Sequence, residues 1–182
     1  MGAASSMYSN ILLKYCLLLS ITIFCCSVQA SNSNSEETII TPIKHDTWLK
    51  HLASYKPNIV VVDMWAMWCS SCLERFPEMV SLHNKYKDHG VKFISMNLDD
   101  RNDKESLLAA ENFISAMNAT FDHFHMDENL LYAFKKINLI SIPAVLIYNQ
   151  EGEEKYRLSG DNPNNQFTEH DIELAIKELL KN

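Results

Sequence analysis

Two cysteines separated by two residues are the strongest chemical signal in the sequence. The segment Trp68-Cys69-Ser70-Ser71-Cys72 follows a β-branched run and precedes a stretch with helical spacing. Cys69 would then lie at a helix N-terminus, where free N–H groups and the helix dipole stabilise an anion, so its thiol pKa is expected below the free value of about 8.5. The spacing also places Cys72 within disulfide reach. We therefore predict that Cys69 attacks a substrate disulfide and that Cys72 resolves the mixed disulfide.

Three further cysteines, Cys16, Cys25 and Cys26, lie in an N-terminal segment that we interpret as removable. A disulfide between the remaining two cysteines closes a loop too short to restrict the unfolded chain much, so it would add little to the stability of a domain. Two cysteines are also too few for a structural zinc site without two other ligands. A lone Cys-x-x-Cys on an exported chain is most simply a redox pair. A zinc half-site and two ordinary core cysteines are the alternatives.

The first thirty residues predict export. The apolar run at 15–28 falls short of the roughly 20 residues that a membrane-spanning helix needs, and its length is typical of a signal peptide. Small residues then precede a cleavage site after Ala30. We predict a signal peptide at 1–30 and a periplasmic or other extracytoplasmic location. An uncleaved membrane anchor through 11–28 and a lipid-modified cysteine are the alternatives.

Composition and charge narrow the class of the rest of the chain. With 47% hydrophobic and 21% charged residues among 182, the balance is that of a globular protein. The formal net charge of −7 disfavours nucleic acid as a partner, because phosphates call for clustered Lys and Arg. We predict a flexible linker rich in Ser and Asn at 31–42 and a single domain at 43–182.

The elements around the cysteine pair predict an α/β domain. A β-branched run at 59–65 indicates a central strand buried on both faces. A helix at 72–87, kinked by Pro77, and a second strand at 91–98 complete a parallel βαβ unit. The other predicted elements are helices at 46–55, 103–117, from 127 or 128 to 136, and 168–181, a short apolar piece at 121–124, and antiparallel strands at 143–148 and 154–158.

The segment from Val62 to Cys72 resembles the active-site segment of thioredoxins. Asp63 lies six residues before the first cysteine, at the position of the buried carboxylate of that family. Pro77 stands at the helix proline, eight residues after the same cysteine, and Ser141-Ile142-Pro143-Ala144 resembles the cis-proline loop.

The resemblance covers roughly residues 43–182 and implies a thioredoxin fold, with a mixed central sheet flanked by helices on both faces. The stretch between about 99 and 140 is longer than in a minimal thioredoxin. It is similar to the extra helix and strand of the exported TlpA-like and ResA-like thiol–disulfide oxidoreductases. The same resemblance implies no cofactor and no bound metal.

The resemblance also implies roles for residues around the pair. Asp63 would be buried, with a raised pKa, and would take and return the Cys72 proton; a solvated or capping aspartate is the alternative. A cis peptide before Pro143 would present the Ile142 backbone to an extended client, whereas a trans turn proline would not. Trp68 would cover the sulfur, and Trp65 would belong to the core.

Three positions depart from the subfamily pattern. Ser71 replaces a frequent proline, and Arg75 replaces a frequent glutamate three residues after the second cysteine. We expect Arg75 to favour the Cys69 thiolate, and we expect Ser95 to replace the lysine that partners the buried carboxylate in thioredoxins. These changes leave the reduction potential open, because it depends on how far the protein stabilises the reduced thiolate.

Two histidines and a methionine offer a metal-binding alternative. His123 and His125 would share one face of a strand, and Met126 follows them. Together with the thiols they suggest copper, although exposed strand-end histidines are the simpler interpretation. The other five histidines lie in polar contexts and are predicted on the surface: His45, His51, His83, His89 and His170.

We therefore predict an exported protein-disulfide oxidoreductase that reduces disulfides in client proteins. The resemblance implies clients of the cytochrome c maturation type and a membrane thiol–disulfide reductant as electron donor, and it alone supports that direction of electron flow. A disulfide-forming oxidant and a copper-binding chaperone of thioredoxin fold are the alternatives.

Overall fold

The computed structural model describes residues 39–161 and 166–181. These residues fold into a six-stranded sheet covered by helices. The predicted signal peptide and all of the predicted linker before residue 39 lie outside these residues. The elements are β1 (Thr41–Ile43), α1 (His45–Ala53), β2 (Ile59–Trp65), α2 (Ser70–Tyr86), β3 (Val91–Asn97), α3 (Lys104–Ala116), β4 (Asp122–Met126), α4 (Leu130–Ile137), β5 (Ala144–Tyr148), β6 (Glu154–Ser159) and α5 (Glu169–Leu179).

The strand order of the sheet is β1-β4-β3-β2-β5-β6. The first four strands in that order are parallel, and β5 and β6 continue the sheet antiparallel. This confirms the predicted mixed sheet and the parallel pairing of β2 with β3. All seven residues of β2 are buried, as expected for a central strand with helices on both sides. The stretch 99–140 contains α3, β4 and α4.

Two apolar clusters fill the space on the two faces of the sheet. Alternate residues of β2 enter different clusters because successive strand side chains point to opposite faces. Val61 packs with residues of α2, α3 and α5, and Val62 packs with residues of α1 and α4. Asp63 follows on the first of these faces, beneath the helix that carries the cysteines.

Three element boundaries differ from the sequence prediction. Thr41 and Pro42, assigned to the linker, form part of β1 because they pair with β4, a contact distant in sequence. Helix α4 begins at Leu130 rather than at 127 or 128, since the Asp127 N–H still donates to Ile43 O at 2.9 Å. Helix α1 begins at His45, one residue before the predicted start.

No helix within residues 39–161 and 166–181 combines the length and apolar character needed to cross a bilayer.

Candidate active site

The two cysteines lie at the junction between strand β2 and helix α2. Cys69 is the N-cap of α2 and forms a disulfide with Cys72, with 5.3 Å between their Cα atoms. Its sulfur also accepts the Cys72 N–H at 3.3 Å. Cys69 is 6% exposed and Cys72 is completely buried. Cys72 is therefore the less accessible of the two cysteines.

A buried ion pair lies on the sheet face under this helix. Arg75 Nη2 of α2 donates to Asp63 Oδ1 of β2 at 2.5 Å, and both residues are buried. The second carboxylate oxygen, Oδ2, is buried and has no hydrogen-bond partner among the described residues. Burial raises the pKa of the Asp63 carboxyl above its ordinary value, and the guanidinium of Arg75 opposes part of that rise. The carboxyl is therefore a group that can bind a proton more readily than an exposed aspartate.

Arg75 differs from what the sequence led us to expect. Its guanidinium lies 4.8 Å from the centre of the Phe167 ring, and Nη1 donates to Met79 Sδ at 3.5 Å. Its charge is thus paired with Asp63 inside the protein instead of facing the Cys69 sulfur. Ser95, expected to replace the partner of the buried carboxylate, lies opposite Asp63 in the β2–β3 register but hydrogen bonds with His123 at 2.9 Å. The counter-charge comes from the helix because the turn after Cys72 faces β2.

The loop before β5 contains the predicted cis peptide, between Ile142 and Pro143. Pro143 is buried, and its carbonyl accepts the Gly160 N–H at 2.8 Å, which ties the loop to β6. Ile142 is half-buried and packs against both apolar clusters. Trp68 is 57% exposed, whereas Trp65 is completely buried, as predicted. An exposed aromatic side chain therefore precedes Cys69 in the chain, and the cis-proline loop is partly buried.

A groove of about 660 Å³ lies next to the cis-proline loop. Ile140, which is 80% exposed, and Ser159 of β6 line one part of it. Phe167 lines another part, and its ring contacts Arg75. The groove therefore lies beside the loop, and Phe167 stands between the groove and Arg75.

Comparison with known proteins identifies the family. A family model described as Thioredoxin-like matches residues 57–154, more than half of the chain. The chain belongs to this thioredoxin-like family. ResA, a thiol-disulfide oxidoreductase of Geobacillus kaustophilus, is 25% identical over 152 residues, which cover 82% of this chain and 78% of ResA. ResA of Oceanobacillus iheyensis is 33% identical over 70 residues, or 38% of this chain and 33% of that one.

Solved structures support the same fold. A thiol:disulfide interchange protein of Chlorobium tepidum superimposes with a TM-score of 0.55 at 20% identity, over 70% of this chain and 83% of that one. A secreted disulfide oxidoreductase of Mycobacterium tuberculosis has a TM-score of 0.54 at 20% identity, over 70% and 86%. Together with the family model, the similarity to the ResA oxidoreductases supports a protein-disulfide oxidoreductase that resembles the TlpA and ResA proteins, as predicted.

A buried polar cluster that was not predicted from the sequence lies beside the active-site loop of this thioredoxin-like protein. The Met67 N–H lies 3.1 and 3.0 Å from the two carboxylate oxygens of Asp99, which is 2% exposed. Asn97, at the end of β3, donates to the same carboxylate at 2.7 Å. The position of Asn97 and Asp99 at the end of β3 could have indicated this cluster, since polar residues at the carboxyl ends of parallel strands gather at one edge of a sheet.

The histidines of β4 are buried, contrary to their predicted exposure. His123 is 7% exposed and bonds to Ser95, and burial lowers its pKa. His125 is 5% exposed, and its Nε2 donates to Asp99 O at 3.0 Å. His45, predicted on the surface, is also buried. Within the described part of the chain, no three His, Cys, Asp or Glu side chains gather closely enough to hold a metal ion.

Proposed function

We propose that this thioredoxin-like protein reduces disulfides in client proteins through Cys69 and Cys72. The ion pair between Asp63 and Arg75 is the observation that supports this direction of electron flow. Strong oxidants of this chemistry stabilise their reduced form. Here the cation nearest the pair in sequence is buried and neutralised by a carboxylate at 2.5 Å, so it offers no unpaired charge to a Cys69 thiolate. The disulfide is then favoured over the thiolate, as a reductase requires.

The reaction transfers two electrons in two steps. The Cys69 thiolate attacks one sulfur of the client disulfide, so the client S–S bond breaks, the other client sulfur leaves as a thiolate and takes up a proton, and a mixed disulfide between Cys69 and the client forms. The Cys72 thiol then loses its proton to Asp63 and attacks Cys69 Sγ. The client sulfur that was bound to Cys69 leaves as a thiolate and takes up a proton. The client gains two electrons, and Cys69–Cys72 ends as the disulfide seen in the structure.

Trp68, Ile142 and Pro143 are the proposed client-binding residues. The Ile142 backbone, next to a cis peptide, would pair with an extended client segment as an added strand does. The exposed ring of Trp68 would cover the reacting sulfurs and exclude water. The client must be extended and accessible around its disulfide, as we propose for a disulfide-containing apoprotein of the cytochrome c type.

Export and the electron donor complete the proposal. We propose that residues 1–30 direct the chain out of the cytoplasm, either cleaved as a signal peptide or retained as an anchor through 11–28. The similar fold of a secreted disulfide oxidoreductase supports this placement. Each turnover leaves Cys69–Cys72 oxidised, so the protein needs a thiol–disulfide reductant in the membrane to restore the thiols.

The reduction potential of the Cys69–Cys72 pair tests the direction. The full chain is equilibrated in glutathione or dithiothreitol buffers, thiols are trapped, and the pair is read by mass spectrometry apart from Cys16, Cys25 and Cys26. A value of about −270 mV or lower supports a reductase. A value near about −120 mV would make the protein a disulfide-forming oxidant. No two-electron transition would overturn the redox proposal and favour the copper alternative.

Asp63→Asn is expected to slow release of the client from the mixed disulfide about 100-fold near neutral pH, the lower end of the effect of a general base. Because burial raises the Asp63 pKa, the wild-type rate should rise with pH as this carboxylate ionises. The variant should rise only at more alkaline pH, where the Cys72 thiol ionises by itself. Stopped-flow release from a preformed Cys69 mixed disulfide measures both profiles.

The matched control is Asp100→Asn, an exposed aspartate that loses the same charge. It should retain the wild-type profile. Superimposable profiles for the Asp63 variant and the wild type would remove Asp63 from the mechanism. Circular dichroism on each variant shows whether the fold is retained, since the change also leaves the Arg75 charge without its anion.

A further inference from the structure

The buried carboxylate of Asp99 lies against the loop that leads into Cys69. Both of its oxygens lie near the Met67 N–H, at 3.1 and 3.0 Å. Its own position is held by Asn97, whose amide donates to Oδ2 at 2.7 Å and whose carbonyl oxygen accepts the Asp99 N–H at 3.1 Å. His125 Nε2 donates to the Asp99 carbonyl at 3.0 Å from the other side. Asp99 is thus braced by two strands, β3 and β4.

Met67 is the second residue of a four-residue turn that ends at Cys69. The turn is closed by the Cys69 N–H, which donates to Ala66 O at 3.1 Å. In such a turn the N–H of the second residue has no partner within the turn, and a buried N–H without an acceptor is costly. The acceptor here is Asp99. Whatever fixes this turn also fixes Cys69, the N-cap whose sulfur accepts the Cys72 N–H at 3.3 Å.

We propose that Asp99 is a positioning residue that holds the Cys69 sulfur at the N-terminus of α2, where its thiolate is stabilised. The inference deepens the proposed function and rests on it. Among the described residues, the Asp99 carboxylate bonds to the Met67 amide and not to the reacting sulfurs. It therefore acts through that amide. Its charge and its position have opposite effects, since a nearby negative charge disfavours a thiolate whereas a fixed N-cap sulfur favours it. The two contributions can therefore be separated.

Alkylation of reduced Cys69 by iodoacetamide, followed against pH in the full chain, is the test. Mass spectrometry with fragmentation distinguishes Cys69 from the other cysteines. Asp99→Ala should lower the rate at pH 7 about tenfold, the scale of one lost charge-assisted hydrogen bond, and move the midpoint of the profile to higher pH. Asp99→Asn keeps an acceptor oxygen without the charge and should stay within about twofold of the wild type, given the same reasoning. Asp100→Ala removes an exposed charge at the adjacent position and should leave the rate and the pH profile of alkylation unchanged.

Two outcomes would overturn the proposal. One is an Asp99→Ala profile that matches the Asp100→Ala profile. The other is faster alkylation in both Asp99 variants, which would show that only the charge matters. If Asp99→Ala does not fold, amide exchange of Met67 in the wild type replaces it, and exchange as fast as that of an exposed loop amide would contradict the hydrogen bond. Alkylation needs no client, so the result stands apart from a failure of the reductase proposal, which the reduction potential reveals.

Discussion

Replacing Cys72 with serine is expected to stop turnover at a covalent complex between Cys69 and the client. Cys69 can still attack, because it is the more exposed of the two sulfurs. The resolving sulfur, which reaches Cys69 Sγ in the disulfide, is gone. Turnover should fall by more than about 1,000-fold, because every enzyme molecule is blocked after one attack. Non-reducing electrophoresis after acid quenching, with a disulfide-containing client, measures the trapped complex.

Cys69→Ser is the paired variant and should form no complex at all. It should also lose turnover completely, because the buried Cys72 cannot reach a client sulfur. Cys25→Ser, a change far from the pair in sequence, is the control and should behave as the wild type. Complex formation by Cys69→Ser at the level of Cys72→Ser would reverse the assignment of the two cysteines.

Replacing Arg75 with methionine is expected to lower the free energy of unfolding by about 3–5 kcal/mol at pH 8, the usual cost of leaving one partner of a buried pair uncompensated. Asp63 is 1% exposed and accepts a hydrogen bond from Arg75. Methionine keeps much of the apolar stem of the arginine but removes the guanidinium. Urea unfolding of the oxidised protein, followed by tryptophan fluorescence, gives the free energy.

The effect of this substitution should depend on pH in a defined direction. The pKa of Asp63 is raised in the folded state. The contribution of this carboxyl to the stability of the fold is therefore fully present below its unfolded-state pKa of about 3.9, and it is lost as the pH rises through the folded-state pKa. Arg75 opposes that rise, so its removal moves the folded value further up. The difference between variant and wild type should therefore be small near pH 4 and largest at neutral and alkaline pH.

Two further variants make the Arg75 prediction specific. Asp63→Asn combined with Arg75→Met removes both charges and should recover most of the stability lost in Arg75→Met, because a neutral buried pair carries no uncompensated charge. Arg101→Met changes an exposed arginine and should cost no more than about 0.5 kcal/mol. A pH-independent loss in Arg75→Met, unchanged in the double variant, would show that only packing was lost.

Local patterns predicted most of the fold. The β-branched run of β2, the helical spacing after the cysteines and the antiparallel pair β5 and β6 all appear at nearly the expected positions. These elements are set by side-chain periodicity and turn residues close in sequence. The errors fall where a distant strand decides, as in Thr41–Ile43, which becomes a strand only by pairing with β4.

The sequence by itself determined the type of chemistry in this protein. Two cysteines three positions apart, between a buried strand and a helix, place one sulfur at a helix N-terminus whatever the rest of the chain does. The position of Asp63 and the cis-proline loop followed from resemblance to the family, and the structure describes Asp63 as buried and the Ile142–Pro143 peptide as cis. These features depend on short segments with a fixed local geometry.

Only the tertiary structure decided which charges and acceptors meet around the pair. Arg75 pairs with Asp63 because the first turns of α2 pack on β2, and Asp99 reaches Met67 because β3 ends beside β2. No periodicity in the sequence encodes a contact between groups 12 or 32 residues apart. Such pairs form because buried polar groups must find partners wherever the packed elements bring them together.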